Sequence, residues 1–222
     1  MSRTITVRGT GTVSAKPDRI ELTLNLSALD PDYQKAAEEA GRKLEAVRGA
    51  VADAGFPKDE LKTTNFNVTT EYRGVHDPKT GEYRQEFAGY RIFHGMLLAF
   101  PLSLDTLAEL LGGISECGAE PEMNIRFTLA DPGSFRKAAL ESAATDAREK
   151  AEILARASGV KLGKLLSVQY DWNEVRFASE TSFDAANYAG APRLAKAAFA
   201  ADMSPQDIKL TDNAGFVWEI ED

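Results

Sequence analysis

The residues best suited to metal or nucleophilic chemistry are few in this sequence and lie far apart. The chain has one cysteine, Cys117, and two histidines, His76 and His94. A single thiol excludes an intramolecular disulfide framework and any site built from several thiolates. The spacing supports no Ser–His–Asp or Cys–His arrangement. We therefore expect no catalytic residue, no metal-binding residue and no cofactor-binding residue.

Cys117 and His94 have structural interpretations. Cys117 is predicted at the C-terminal end of a helix, where the helix dipole disfavours a thiolate, so a buried inert thiol is expected. His94 shares the apolar face of a strand with Ile92, Met96 and Leu98. This placement predicts a hydrogen-bonded histidine of the core or of an interface. The alternative is an enzyme or small-molecule site at a subunit interface near His94.

Gly9-Thr10-Gly11 invites comparison with a phosphate-binding loop. The dinucleotide fingerprint requires a third glycine at position 14 and a helix that begins there. Ser14 stands at that position, and Pro17 and a strand pattern follow instead of a helix. The two glycines therefore predict a twisted or bulged strand rather than a phosphate cradle.

The carboxylates that could form an acid–base pair lack a cleft in which their pKa values would separate. Asp18 lies in a predicted turn, Glu21 lies on the polar face of a strand, and Asp30 precedes a helix. We interpret all three as solvated surface carboxylates. A charged stripe on a later helix is interpreted as its solvent face: Glu149, Lys150 and Glu152.

Composition excludes several classes of function. The 222 residues carry a net charge of −8, with 43% hydrophobic and 27% charged residues, as expected of a soluble, acidic, globular protein. An acidic chain without basic clusters is not expected to bind nucleic acid. No apolar run approaches the length of about 18 residues that a membrane-spanning helix requires.

Two kinds of periodicity predict the elements. Alternation along Arg19–Ser27 predicts a strand that forms a β-hairpin with residues 4–13, through a turn at Pro17. Further strands are predicted at Asn65–Tyr72 and Tyr90–Phe100, the latter in the centre of a sheet because both faces are apolar. The remaining strands are predicted around 125–129, 166–172 and 208–220.

Three helices are predicted from apolar spacing and caps. The first is expected to be capped by Asp30, with Pro31 at its first position, and to end at Gly55. The second runs from Ser103 to Gly118, and the third, rich in alanine, covers Pro132–Ser158. The order is ββα-ββα-βα-ββ, which predicts an α+β fold with antiparallel or mixed sheets and helices packed on one side.

The segment 177–205 has no period and is predicted to be an irregular loop. Its aromatic residues are expensive to leave in water, so we expect them to dock across a homo-oligomeric interface: Phe177, Phe183, Tyr188 and Phe199. A lid over a ligand site is the alternative. The whole chain, 1–222, is predicted to be a single domain, with two lobes at about 1–101 and 102–222 as a variant of that prediction.

Several short motifs, in their order and spacing, resemble the SIMPL-domain family over nearly the whole chain. The strongest are the opening Ile5-x-Val7-x-Gly9-x-Gly11 and the turn Ala15-Lys16-Pro17-Asp18. The others are Gly55, Asp59, Leu61-Lys62-Thr63, Gly89-Tyr90, Asn124-Ile125-x-Phe127-x-Leu129, the helix Ala138 to Ala155, and Gly159-x-x-Leu162-Gly163. This bacterial domain of unknown function has no established catalytic residues that could be transferred.

The resemblance implies an α+β fold, homo-oligomeric rings or hollow particles, and a link with oxidative-stress tolerance and with immunogenicity. We therefore expect a non-enzymatic self-assembling protein in stress protection or envelope maintenance. The alternatives are an enzyme or small-molecule binder at a subunit interface, and an adaptor that binds another protein.

The location stays open at this point. Residues 1–8 lack the apolar run of a secretory signal, whereas most bacterial relatives carry one. The sequence as it stands predicts a cytoplasmic protein, and a periplasmic or envelope protein if an export signal has been removed.

Overall fold

The computed structural model describes residues 3–76, 83–170, 177–181, 183–184 and 204–221. These residues form an α+β fold with two antiparallel sheets, as the sequence predicts. The strands are β1 Thr4–Ala15, β2 Arg19–Asp30, β3 Lys62–His76, β4 Tyr83–Pro101, β5 Glu122–Thr128, β6 Lys161–Gln169, β7 Phe183–Asp184 and β8 Ile208–Glu221. The helices are α1 Tyr33–Asp53, α2 Leu104–Glu116 and α3 Pro132–Ala157, with a 3₁₀ turn at Lys58–Glu60.

The predicted hairpin between the first two strands is wrong. β1 pairs with β8 in a three-stranded sheet of order β1-β8-β6, and β2 lies in a five-stranded sheet of order β3-β4-β2-β5-β7. The turn after β1 is bound elsewhere, because the Asp18 N–H donates to the Thr128 carbonyl over 3.1 Å. Asp18 Oδ1 also accepts from the Ala130 N–H over 2.7 Å. Alternation marked the buried face of each strand but could not specify its partner.

The chain divides into two compact units that interleave along the sequence. Unit 1 comprises Met1–Asp18, Thr128–Glu180 and Pro205–Asp222, and unit 2 comprises Arg19–Phe127 and Thr181–Ser204. The predicted alternative of two lobes, at about 1–101 and 102–222, has a single boundary in the sequence, whereas each of these units is built from more than one segment. The single-domain assignment stays a prediction.

Unit 2 has a core of large apolar side chains between two helices and one face of the five-stranded sheet. The predicted packing of the Ile20–Leu26 face beneath the first helix is confirmed, because these side chains share a cluster with Val47 and Val51 of α1. Helix α2 contributes Leu107, Leu110, Leu111 and Ile114 to the same cluster. Burial of each such side chain contributes about 1.5–3 kcal/mol in transfer terms.

Unit 1 has a core of small residues between α3 and the three-stranded sheet. Fully buried alanines recur every four residues along α3: Ala139, Ala143, Ala147, Ala151 and Ala155. Ala147 and Ala151 share a cluster with Val7 on β1 and the rings of Phe216 and Trp218 on β8. The alanine periodicity therefore correctly indicated a helix that lies close to a sheet.

Of the two helix N-caps predicted from the sequence, one is confirmed and one is wrong. The cap of α1 is Asp32, two residues after the predicted Asp30, and its Oδ1 accepts from the Gln34 N–H over 2.8 Å. Asp30 cannot serve because its carboxylate accepts from the Asp32 N–H, also over 2.8 Å. Ser103 caps α2 as predicted, with a 3.3 Å bond from the Thr106 N–H.

Two further predictions concern the sheet around β4 and the segment 177–205. β4 lies between β3 and β2, the central position that was predicted. Within the segment, Ala178 bridges to Thr128, and the two residues of β7 pair with β5. These pairings involve only one and two residues of the segment, too few to produce an alternation of apolar and polar residues in the sequence. Residues 182, 185–203 and their side chains lie outside the described residues.

Candidate functional site

His94 is hydrogen-bonded, as its position on β4 predicted. Its Nε2 lies 2.8 Å from Thr63 Oγ1, and its ring meets Phe66 edge-on with 5.5 Å between centroids. Burial lowers the pKa of His94 below its ordinary value, and the positive charge of Arg48 lowers it further. Burial and the charge of Arg48 account for the lowered pKa of His94 without a catalytic role.

Cys117 is the C-terminal cap residue of α2, where the sequence placed it. Its thiol donates to the Ile114 carbonyl over 3.1 Å. The side chain is half-buried rather than buried, because it follows the last turn of the helix. Among the hydrogen bonds of the described residues, none joins Cys117 to a histidine, so the structure assembles no nucleophile–base pair there.

Gly9 and Gly11 serve helix packing. A Cβ on Gly9 would lie 2.7 Å from the Ala147 Cβ and would overlap the Ala143 carbonyl oxygen. The residue between the glycines, Thr10, donates its N–H to Asp146 Oδ2 over 2.7 Å, and this carboxylate would repel a phosphate. The predicted strand is confirmed, and its register with β8 is continuous through both glycines, so of the two predicted forms, twisted or bulged, the bulged one is wrong.

The candidate carboxylates are separated and bound to structural partners. Asp18 holds the turn before α3, and Asp30 accepts from the backbone ahead of α1. Glu21 forms an ion pair with Arg126, with 3.5 Å between the charged atoms. Asp18 is exposed, but Glu21 and Asp30 are half-buried rather than fully solvated.

The charged stripe of α3 is exposed, as predicted for Glu149, Lys150 and Glu152. Lys150 Nζ lies 2.7 Å from Asp146 Oδ2, and Arg148 Nε lies 3.1 Å from Glu152 Oε1. These pairs are one helical turn apart and support the helix only weakly.

The aromatic residues of the segment 177–205 are only partly described. Phe177 is half-buried and meets Phe135 of the same unit edge-on, with 6.4 Å between ring centroids. For Phe177, therefore, the contact lies within the subunit. The backbone of Phe183 belongs to β7. Tyr188 and Phe199 lie outside the described residues, and the interface expected of this segment stays a prediction.

A different group of residues, four aromatic and one valine, forms a partly exposed apolar surface of unit 2. We call it the aromatic strip and define it by five residues of β3 and β4: Phe66, Val68, Tyr72, Phe87 and Tyr90. The exposed fractions of Phe66 and Tyr72 are 59% and 55%. β3 has no fully buried residue and lies at the edge of its sheet.

The strip continues the face of the sheet that carries the helices. Phe66 lies opposite His94 and Val68 lies opposite Ile92, and these β4 residues alternate onto the same face as the buried Met96. The rings form a line of edge contacts, with centroids 5.3 Å apart for Phe87 and Tyr90, and 5.9 Å for Tyr72 and Phe87.

A bulge keeps Tyr72 and Phe87 on this face. Glu71 lies opposite Gly89 and Tyr72 lies opposite Phe87, so one extra residue of β4 is left between the pairs. Gly89 has φ +150°, and a Cβ there would lie 2.6 Å from the Asp30 carbonyl oxygen. Without the extra residue, Phe87 would point to the other face of the sheet.

Among the described residues, element length accounts for the exposure of Tyr72 and Phe87, whereas Phe66, which lies opposite His94, is exposed because β3 is the edge strand. α1 has 21 residues and is about 31 Å long. β4 has 19 residues and extends about 60 Å. One helix therefore covers about half of the hairpin formed by β3 and β4. The sequence showed the alternation of Phe66, Val68 and Tyr72, but the strands predicted at Asn65–Tyr72 and Tyr90–Phe100 were too short to indicate their exposure.

The described residues also contain no group of three or more His, Cys, Asp or Glu side chains arranged to hold a metal ion. Within the same ranges, no helix is long and apolar enough to cross a membrane.

Comparison with known proteins connects the chain with one family and gives little further information. The sequence profile of the SIMPL family, described as "Protein of unknown function (DUF541)", matches residues 5–218. The uncharacterized protein YggE of Edwardsiella ictaluri is 25% identical over 216 residues, which is 97% of this chain and 86% of that protein.

Two solved structures show weak similarity. The regulatory subunit of aspartate kinase from Thermus flavus is 14% identical, covers 89% of this chain and 100% of its own, and has a TM-score of 0.15. An uncharacterized conserved protein from Listeria innocua is 9% identical, covers 95% and 92%, and has a TM-score of 0.22. At these TM-scores neither similarity carries an argument.

Proposed function

This chain belongs to the SIMPL family, a family of proteins of unknown function, and from its own surfaces we propose that it is a non-enzymatic protein that assembles with copies of itself. The contact is made by the aromatic strip and the outer edge of β3. The observation that carries the proposal is the exposure of Phe66 and Tyr72 on a strand that has a neighbour on one side only within the part of the chain that the structure describes.

The edge of β3 supports a partner that is itself a strand. Its 15 residues include no proline, and its outer backbone groups have no neighbouring strand in the described residues. Such an edge is a template for pairing with another chain. Large exposed apolar patches next to it mark interaction surfaces.

A second copy of the chain fits this edge by symmetry. In an antiparallel pair of two β3 strands centred on Asn67, Phe66 of one copy lies opposite Val68 of the other. The same register places Lys62 opposite Tyr72, so no like charges meet there. A two-fold contact of this kind requires one surface to complement itself, and these pairs satisfy that condition.

Light scattering of the purified protein tests the proposal over a roughly hundredfold range of concentration. We expect a solution mass above that of the 24.1 kDa subunit, which decreases on dilution. The triple variant Phe66→Ser, Tyr72→Ser, Phe87→Ser should have the subunit mass and an unchanged circular dichroism spectrum.

A matched control changes exposed apolar residues elsewhere. Ile153 and Leu154 on α3 are 59% and 48% exposed, so Ile153→Ser with Leu154→Ser alters a similar surface outside the strip. This control should keep the wild-type mass. A subunit mass at every concentration would favour the adaptor alternative, and a strip variant with wild-type mass would place the contact elsewhere, with the segment 177–205 as the next candidate.

The stress and envelope roles and the location belong to the same proposal and are supported by the family resemblance alone. A strain without the protein should be more sensitive to peroxide, and wild-type protein should restore tolerance better than the strip variant. If the wild-type protein and the strip variant restored tolerance equally, the stress role would not depend on assembly through the strip. Cell fractionation would distinguish a cytoplasmic location from a periplasmic one.

A further inference from the structure

Unit 1 has an outer strand of its own, because β1 stands at the end of the order β1-β8-β6 in the described part of the chain. Its 12 residues include no proline, and its register with β8 is continuous from Thr4 to Ala15. The side chains on the face opposite α3 are mostly threonines, which favour extended backbone. A long and regular edge of this kind is a template for pairing with another chain.

Two backbone groups on this edge are bound by side chains of α3. The Thr10 N–H donates to Asp146 Oδ2 over 2.7 Å. Lys150 Nζ lies 3.5 Å from the Arg8 carbonyl oxygen and 2.7 Å from the same Asp146 Oδ2. We call these two side chains, Asp146 and Lys150, the edge clamp. They join the flank of the helix to the backbone of the outer strand.

The bound groups are those that an added strand would use. In a strand, the N–H and C=O of one residue point to one side, and those of the next residue point to the other side. The Thr10 N–H is bound to α3, so the backbone groups of Arg8 and Thr10 point away from β8. The edge clamp supplies an acceptor to the Thr10 N–H and a donor to the Arg8 carbonyl, as an added strand would.

The glycines of β1 allow the edge clamp to reach the backbone. A Cβ on Gly9 would overlap the Ala143 carbonyl oxygen and would lie 2.7 Å from the Ala147 Cβ. A larger residue at this position would therefore hold α3 further from β1. Asp146 precedes Ala147, and Lys150 follows Asp146 by one helical turn, so the close approach brings both to the edge.

The charges of the edge clamp oppose its replacement by a strand. The hydrogen bond from Lys150 lowers the pKa of the Asp146 carboxyl below its ordinary value, and the hydrogen bond from the Thr10 N–H lowers it further. An added strand would have to displace an ionised carboxylate and an ammonium group, or bury them against its own backbone. Charged side chains that point along an edge in this way protect it from pairing.

We propose that Asp146 and Lys150 close the edge of β1 against a second copy of the chain and so restrict strand pairing between copies to β3. The restriction to β3 rests on the proposed self-assembly. The closure of β1 does not, because β1 and the edge clamp both belong to unit 1. A copy with two open edges could join a neighbour at each of them, and assembly would then not end at a closed pair.

Amide hydrogen exchange in the wild-type protein tests the closure at one residue. Relative to its intrinsic rate, the Thr10 amide should exchange about tenfold more slowly than those of Thr6 and Thr12, which point to the same side. This protection should be the same at every concentration, because it arises within the subunit. Asp146→Ala should remove it. Equal protection of the three amides, or protection of Thr10 that persists in Asp146→Ala, would overturn the proposal.

A variant without the edge clamp tests the pairing with a second copy. Asp146→Ala with Lys150→Ala is made in the Phe66→Ser, Tyr72→Ser, Phe87→Ser background, in which the strip no longer contributes to association. Alanine is the best helix former, so the circular dichroism spectrum should not change. By light scattering we expect a mass at least about twofold above that of the background at high concentration, which decreases on dilution.

Two controls locate this association. Arg148→Ala with Glu149→Ala removes one basic and one acidic residue of α3 that are not part of the edge clamp, and it should keep the mass of the background. Thr10→Pro, added to the variant without the edge clamp, removes an N–H that β8 does not use. Proline is tolerated at such a position and prevents strand addition, so the mass should return to that of the background.

The proposal is overturned if loss of the edge clamp leaves the mass unchanged at every concentration. It is also overturned if the Arg148→Ala, Glu149→Ala control gains mass equally, or if Thr10→Pro does not reverse the gain. Failure of the proposed function is a different result: the wild-type protein would have the subunit mass, and the variant without the edge clamp would still associate.

Discussion

The two units place a helix on a sheet by opposite means. In unit 2, bulky side chains fill the space between α1, α2 and the strands, with Leu22, Leu24 and Leu110 fully buried. In unit 1, Gly9 and Gly11 stand opposite buried alanines, and the backbones themselves approach closely. The same layer architecture is thus obtained by filling a space in one unit and by removing it in the other.

This difference predicts which substitutions each unit tolerates. A core of large side chains is weakened when atoms are removed, because a cavity remains. A contact between backbones is weakened when atoms are added, because neither backbone can move aside cheaply. The direction of a size change should therefore have opposite consequences in the two units.

The largest effect is expected from a charge in the core of unit 2. Leu24→Asp places a carboxylate among fully buried apolar side chains and should lower the free energy of unfolding by more than about 4 kcal/mol. The neighbouring Thr23 alternates onto the other face, so Thr23→Asp should be tolerated. Urea denaturation of both variants measures the difference. Equal losses would contradict the strand register.

The next effect is expected in unit 1. In Gly11→Ala the new Cβ would lie 2.5 Å from the Ala143 nitrogen, so we expect a loss of about 2–3 kcal/mol. The same change at exposed Gly41 of α1 meets no atom within 4 Å and should stabilise the protein by about 0.5–1 kcal/mol. Thermal unfolding should give opposite signs for the pair, and equal signs would refute the backbone-contact interpretation.

A smaller effect is expected from a polar contact in unit 1 between β8 and Tyr170, the residue that follows β6. Tyr170 donates to Asp212 Oδ2 over 3.0 Å, and Asp212 also lies 3.8 Å from Arg136. Tyr170→Phe should lower the free energy of unfolding by about 1–2 kcal/mol. Thr12→Val, which removes an exposed 3.0 Å contact with Thr211, should change it by less than about 0.5 kcal/mol. If both variants lost a similar free energy of unfolding, the partly buried contact of Tyr170 would be no stronger than the exposed contact of Thr12.

The smallest effect concerns pH and belongs to unit 2. Burial lowers the pKa of His94 from its ordinary 6.5, so the unfolded chain takes up a proton at a higher pH than the folded protein. The contribution of His94 to stability is therefore complete above pH 6.5 and is lost as the pH falls below that value. His94→Gln should reduce the difference in urea midpoint between about pH 7.5 and about pH 5.5. If the difference in urea midpoint were the same in the variant, titratable groups other than His94 would cause it.

Local patterns predicted the elements because their causes are local. Ser103 caps its helix through its own side chain, and Gly55 and Gly159 have the positive φ angles that end helices. The face Ile20–Leu26 was identified because alternation records burial. Asp32 was missed as a cap because Asp30 and Pro31 match the same local preference.

The partners of the elements could not be predicted in this way. β1 pairs with β8, about two hundred residues away, and nothing in the alternation of either strand identifies the other as its partner. The role of Gly9 depends on Ala143, which lies in a helix that follows much later. The alternation of Phe66, Val68 and Tyr72 was visible in the sequence, but their exposure depends on the position of β3 at the edge of its sheet.

Amide hydrogen exchange at the two sheet edges tests self-assembly through β3 most directly. At high protein concentration, alternate outward-facing amides of β3 should become protected, whereas those of the edge strand β6 should exchange at the same rate at every concentration. The protection of β3 should disappear on dilution and in the Phe66→Ser, Tyr72→Ser, Phe87→Ser variant. Concentration-independent exchange along β3 in a protein that is oligomeric by light scattering would contradict the proposed contact.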